Sequence, residues 1–283
     1  MSGSIVTTDW LFEHISDDNL RIVDASWYLP VHKRNGAAEY KKEHIPGAIF
    51  WDIDEIADLS SGLPHTIPNA QAFKSHMEKM GLGSEHSIII YDGMGLFSAA
   101  RPWWMLKSFG HDKCAVLDGG FPKWKAENRP ISNETFALKP AQFEPKLNSE
   151  MFYEMKDIFN NISKKTALVI DARSAGRFRG EEPEPRPNCR SGHIPGSISL
   201  PFDKILNTDD QTLLGKEQLK ALFEEVLIDP DKPVITSCGS GVTACVLALG
   251  LEIIGKKTIA VYDGSWSEWG STDSMPIEIG QEN

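Results

Sequence analysis

The sequence predicts an α/β protein made of two tandem domains of one design, each a mainly parallel sheet flanked by helices. The first observation behind this is a divergent internal duplication at an offset near 147 residues. Four segments recur in order. Ile22-Val23-Asp24-Ala25 matches Val169-Ile170-Asp171-Ala172, and Glu43-His44-Ile45-Pro46-Gly47-Ala48 matches Gly192-His193-Ile194-Pro195-Gly196-Ser197. Ile90-Tyr91-Asp92-Gly93-Met94-Gly95 matches Thr236-Ser237-Cys238-Gly239-Ser240-Gly241, and Leu117-Asp118-Gly119-Gly120 through Trp124 matches Tyr262-Asp263-Gly264-Ser265 through Trp269. A period this long repeats whole domains, not the short units of a solenoid. The second observation is that β-branched runs alternate with amphipathic stretches in each half, as strands joined by crossover helices do.

Taken in order, the first domain spans 1–135. The helical stretch Ala70 to Met80 leads into the strand Ser87 to Tyr91, and Cys114 falls in a later strand. Residues 128–150, rich in Pro, Asn and Ser without clear period, predict a linker wrapped along the surface. The second domain spans 150–283. Its strand Val234 to Ser237 feeds the apolar helix Val242 to Ile254, which is followed by the strand Thr258 to Tyr262. The two domains are expected to pack together with a small-molecule site between them.

Composition narrows the function. With 29 Lys plus Arg against 40 Asp plus Glu, the net charge of -11 repels a phosphate backbone, so nucleic acid is not an expected partner. The four cysteines, at 114, 189, 238 and 245, have neither CxxC spacing nor a Cys/His cluster, which argues against a disulfide framework or a zinc site and for a reducing compartment. The start lacks the basic and apolar regions of a signal peptide, and the apolar helix 242–254 is too short to span a bilayer. A soluble, cytoplasmic protein is expected, with no membrane association.

The chemistry concentrates at Cys238. It follows a strand and opens Cys238-Gly239-Ser240-Gly241-Val242-Thr243-Ala244, directly before a helix. Glycines at 239 and 241 let the chain curl so that successive amides point inward, and the helix adds the positive end of its dipole. Such surroundings favour a thiolate. Asp92 stands at the matching place in the first half, so only the second half carries the nucleophile.

These residues, both His-Ile-Pro-Gly elements, the stretch Arg177 to Arg186 and the ending Tyr262 to Trp269 give the chain a resemblance, over nearly its whole length, to the two-domain rhodanese-like sulfurtransferases. Among these it is most similar to the 3-mercaptopyruvate sulfurtransferases. Thiosulfate sulfurtransferases carry Arg and Lys straight after the cysteine, suiting a dianion; here Gly239 and Ser240 are neutral. Phosphatases with this general fold close a longer loop with an arginine, whereas Ala244 closes this one.

The resemblance implies specific roles. Cys238 attacks the sulfur of 3-mercaptopyruvate, Arg177 and Arg186 hold its carboxylate and oxo group, and the loop through Gly239, Gly241, Val242 and Thr243 cradles the resulting persulfide. Ser240, His65 and Asp54 match a Ser-His-Asp relay proposed for the family. The sulfur then passes to a thiol acceptor such as thioredoxin, or to cyanide, and no metal or organic cofactor is expected. A thiosulfate-preferring enzyme and a non-catalytic sulfur-relay or binding module are the alternatives.

Other residues have plainer readings. His44 and His193, present in both halves, fit capping or turn hydrogen bonds, with Pro-Gly setting the turn. Trp103, Trp104, Trp124, Trp266 and Trp269 fit packing roles. Arg179 is a solvent-facing neighbour of the two arginines. Cys189 is expected to be an incidental surface thiol, and Cys114 and Cys245 core residues.

Overall fold

The computed structural model describes residues 3–135, 139–226, 229 and 231–280. They fall into two units, each with its own sheet. The outer ends of the two expected domains, at residues 1 and 283, and residues 136–138 of the expected linker lie outside the described residues.

The first unit runs β1 (Ile5–Val6), α1 (Thr8–His14), β2 (Leu20–Asp24), α2 (Gly36–Lys42), β3 (Ala48–Phe50), α3 (Ala70–Lys79), β4 (Ser87–Tyr91), α4 (Ala100–Ser108), β5 (Cys114–Leu117) and α5 (Gly120–Ala126). Its strands lie in the order β1-β5-β4-β2-β3, and every pair is parallel. The central strand β4 reads Ser-Ile-Ile-Ile-Tyr, and residues 88–91 are fully buried, as a strand covered on both faces requires. The second unit runs β6 (Phe152–Tyr153), α6 (Met155–Lys164), β7 (Leu168–Asp171), α7 (Ala175–Arg179), β8 (Ile198–Ser199), α8 (Lys216–Val226), β9 (Val234–Ser237), α9 (Ala244–Ile253), β10 (Ile259–Tyr262) and α10 (Ser265–Trp269). The parallel order β6-β10-β9-β7-β8 repeats that of the first sheet, strand for strand.

The duplication extends to small details. His44 forms an isolated antiparallel bridge with Ser132, and His193 forms one with Glu278. Residues just after α5 thus close the first unit as the C-terminal tail closes the second. The side chains fix both histidines in place: Nδ1 of His44 pairs with Tyr40 O of α2 at 2.6 Å and Nδ1 of His193 with Phe178 O of α7 at 2.9 Å, and His44 Nε2 also reaches Glu134 O in the closing segment at 3.1 Å. Gly47 and Gly196 follow at φ 83° and 72°, the left-handed turns that the Pro-Gly pairs require. The segment expected as a surface linker also contributes to a core, because Phe143 is buried edge-on against Phe73. All five tryptophans read as packing residues are fully buried.

The units are not continuous in sequence. Residues 58–66, from the first half, belong to the second unit, and residues 207–213, from the second half, belong to the first. The 207–213 segment is seated by the amide of Leu213, which donates to Asp118 Oδ1 at 2.8 Å. The 58–66 segment brings His65 into the second unit.

Candidate active site

Cys238 follows the C-terminal end of β9, the edge of a parallel sheet where α/β proteins place their ligands. It is 2% exposed. Its amide donates to Ser265 Oγ at 3.2 Å, while its carbonyl and that of Gly239 accept from Trp266 N at 2.9 Å and Ser267 N at 2.8 Å. The loop is therefore pinned to the first turn of α10. Gly241 takes φ 76°, the left-handed conformation that turns the chain into α9. Gly239 has no such requirement. Its missing side chain serves close approach instead, because a Cβ there would stand 3.2 Å from Arg177 Nη2 and 3.4 Å from Arg186 Nη1.

The first unit shows what this loop can hold. Asp92 Oδ1 accepts from Met94 N, and Oδ2 accepts from Phe97, Ser98 and Ala99 N, all at 2.8 Å. Gly95, at φ 104°, makes the turn that Gly241 makes in the second unit. The loop is an anion cradle, filled here by the protein's own carboxylate. By position the matching donors in the second unit include Ser240, Thr243 and Ala244. Among the described residues their amides donate to no other protein group. Where Asp92 supplies its own anion, Cys238 has a thiol and free donors beside it.

Both expected arginines reach this loop. Arg186 Nη2 donates to Ser240 Oγ at 3.1 Å. Burial lowers the Arg186 pKa from its ordinary value, negative charge at Cys238 pulls it back up, and Arg177 pushes it down again. Arg177 donates from Nε and Nη2 to Glu184 at 3.3 and 2.5 Å. Arg179 turns away and pairs with Glu181 at 2.6 Å.

Beneath these lies a group that sequence reasoning missed. Arg173, whose side chain is fully buried, donates to both oxygens of Asp171, to Glu184 Oε1 at 2.7 Å and to Gly192 O at 2.8 Å. Its guanidinium lies 4.2 Å from the centroid of the Trp266 ring. Burial works against its charge, but Asp171 and Glu184 hold its pKa above the ordinary value. The signal available was Asp171-x-Arg173 directly after a strand, with Ser26 at the matching place of the first half.

His65 Nδ1 lies 2.9 Å from Ser240 Oγ, although 175 positions separate them in sequence. His65 is buried and takes φ 64°, an uncommon conformation for a side-chain-bearing residue and one that accumulates at functional sites. Asp54 belongs to the first unit, where its exposed carboxylate accepts from Trp27 Nε1 at 3.1 Å. The structure thus brings together Cys238, Gly239, Ser240, Gly241, Val242, Thr243, Arg177, Arg186 and His65 within the second unit.

Cys189, expected as a surface thiol, is half-buried. It packs against the core cluster around Trp266 and Trp269, and burial raises its pKa. Cys114 and Cys245 are buried as expected. A cavity of about 720 Å³ in the second unit is lined by residues such as Leu168, His193 and Ile198 and shares none with the Cys238 loop. Among the described residues, no helix is long and apolar enough to cross a membrane.

Comparison with known proteins follows the same division. The rhodanese-like domain model matches residues 7–127 and again 154–272. The chain is 42% identical to the 3-mercaptopyruvate sulfurtransferase of Mus musculus, over 94% of this chain and 91% of that one. It is also 42% identical to thiosulfate/3-mercaptopyruvate sulfurtransferase 2 of Arabidopsis thaliana, over 96% of this chain and 86% of that one. The crystal structure of SseA from Escherichia coli, described as a 3-mercaptopyruvate sulfotransferase, superposes with a TM-score of 0.85 at 37% identity, covering 94% of this chain and 99% of that one.

Proposed function

The chain belongs to the rhodanese-like domain family, and on that premise we propose that it is a 3-mercaptopyruvate sulfurtransferase that works through a Cys238 persulfide. The Cys238 thiolate attacks the sulfur of 3-mercaptopyruvate, and the carbon–sulfur bond breaks with its electron pair going to carbon. The leaving group is the enolate of pyruvate. The proton from the substrate thiol ends on the methyl carbon of pyruvate, handled by Ser240 and His65. Arg177 and Arg186 hold the carboxylate and oxo group and offset the enolate charge. The outer sulfur rests among the amides of Ser240, Thr243 and Ala244, as the Asp92 carboxylate does in its own loop.

The observation that carries the choice of donor is the pair of guanidinia converging on the bare Cα of Gly239. The loop residues that follow the thiol, Gly239 and Ser240, are themselves neutral, and the two guanidinia suit the planar carboxylate of mercaptopyruvate. The second step passes sulfur to a small thiol or a dithiol protein of the thioredoxin type, in a reducing compartment such as the cytoplasm.

Steady-state kinetics with cyanide as acceptor, comparing 3-mercaptopyruvate and thiosulfate, test this reading. A higher kcat/KM for mercaptopyruvate is expected. A preference for thiosulfate would reassign the donor, and no turnover with either would leave a sulfur-relay or binding module.

A further inference from the structure

We propose that Glu184 is a positioning residue that sets which edge of Arg177 faces the substrate, and through it the affinity for the carboxylate end of the donor. This rests on the functional reading above. A guanidinium has five N–H donors and two edges able to grip a carboxylate. Glu184 takes the Nε edge of Arg177, with Nε and Nη2 on its two oxygens. The Nη1–Nη2 end is left for a ligand, and it is this end that lies toward Gly239, at 3.2 Å for Nη2 and 4.0 Å for Nη1 from the place of a Cβ.

The clamp itself is held from below. The Glu184 side chain is 3% exposed, and its Oε1 also accepts from Arg173 Nη1. Arg173 is locked on Asp171, the last residue of β7, and stacked on Trp266. A line of ion pairs, Asp171–Arg173–Glu184–Arg177, thereby runs from the end of the sheet to the substrate-facing edge. Its two carboxylates and two guanidinia cancel in charge, so the net positive charge that the arginines bring to Cys238 comes from Arg186.

A purely electrostatic role for Glu184 makes the opposite forecast to a positioning role. If Glu184 only offsets charge, Glu184→Gln adds net positive charge and tightens binding of an anionic donor. If it positions, the amide loses one of its two acceptors and turns an N–H toward a guanidinium, Arg177 swings free, and binding weakens.

The test is Glu184→Gln and Glu184→Asp assayed with 3-mercaptopyruvate and cyanide. The expected result for Glu184→Gln is a KM raised about tenfold, with kcat changed less than about threefold. Enzyme loaded at saturating mercaptopyruvate, desalted and mixed with cyanide should release thiocyanate at the wild-type rate, since that half-reaction does not use the donor's carboxylate. Glu184→Asp keeps every charge but withdraws the carboxylate by one methylene, and should raise KM about threefold. It decides the matter if Glu184→Gln does not fold. An unchanged or lowered KM in a folded variant, or a thiocyanate release slowed as much as kcat/KM, overturns the positioning role. If the wild type does not turn over mercaptopyruvate at all, the functional reading has failed instead, and the two failures are distinct.

Discussion

The hydroxyl of Ser240 lies 2.9 Å from Nδ1 of His65 and also accepts a hydrogen bond from Arg186 Nη2. A guanidinium only donates, so one lone pair of Oγ is taken, and the hydroxyl proton is free to point at the histidine. Replacing either partner should therefore slow proton handling without removing the nucleophile. Ser240→Ala is expected to lower kcat by about 10²-fold, the lower range for a positioned acid–base group, while still forming persulfide. Single-turnover measurement of pyruvate release checks this.

The backbone of His65 offers a second separation of roles. At φ 64° it sits where asparagine is tolerated and β-branched residues are strained. His65→Asn should preserve thermal stability and lose activity, whereas His65→Val should lose both, with a stability cost of roughly 1–3 kcal/mol. Equal stability of the two variants would remove the strain argument.

Gly239 controls the reach of both arginines. A methyl group at this position meets Arg177 Nη2 at 3.2 Å and Arg186 Nη1 at 3.4 Å, so Gly239→Ala should raise the KM for mercaptopyruvate several-fold. Gly239→Arg with Ser240→Lys brings two further cations beside Cys238 and should shift the ratio of kcat/KM values toward thiosulfate. An unchanged ratio would contradict this account of specificity.

Asp92 should prove structural. Its carboxylate satisfies four amides, and leaving buried donors unpaired costs about 1–3 kcal/mol each. Asp92→Ala is expected to lower stability by about 3 kcal/mol or more in denaturant titration. Asp92→Cys should not trap a second persulfide, because Met94 stands where the other loop has Ser240.

Asp24 gives the first unit a pH dependence of known sign. Burial, helped by the charge of Asp92 and opposed by hydrogen bonds from Ser26, raises its pKa to about 6. Between roughly pH 4 and 6 the native chain keeps a proton that the unfolded chain has lost, so stability falls as pH rises through this window. Asp24→Asn should flatten that fall and stabilise the protein by about 1–3 kcal/mol at pH 7.5, with no gain below pH 4. A variant no more stable than wild type at pH 7.5 would contradict it.

Local patterns reveal the parts of this molecule that depend on neighbours in sequence. The repeated segments translate into two sheets of one strand order, and strand, glycine loop and helix around Cys238 announce an anion site. Asp92 opposite Cys238 in the alignment of the halves already leaves the loop thiol to the second half alone. What escapes such reading depends on distant groups. Nothing local says that residues 58–66 join the second unit, which is what seats His65 against Ser240. The burial of Arg173 among Asp171, Glu184 and Trp266 is a packing fact, and so is the closeness of two guanidinia to Gly239, whose bareness looks from sequence like a matter of backbone freedom. Cys189 looks exposed in a polar stretch and is in fact half-buried, with one side packed on the cluster around Trp266 and Trp269.

The central claim is that Cys238 carries the sulfur, and mass spectrometry of digested protein after incubation with 3-mercaptopyruvate tests it most directly. One added sulfur is expected on the peptide containing Cys238, none on those containing Cys114, Cys189 or Cys245, and loss of the added sulfur on treatment with cyanide. Cys238→Ser should stay folded and unmodified, since an alcohol in this loop cannot carry a persulfide. Added sulfur on Cys189 alone, or appreciable pyruvate formation by Cys238→Ser, would contradict the assignment.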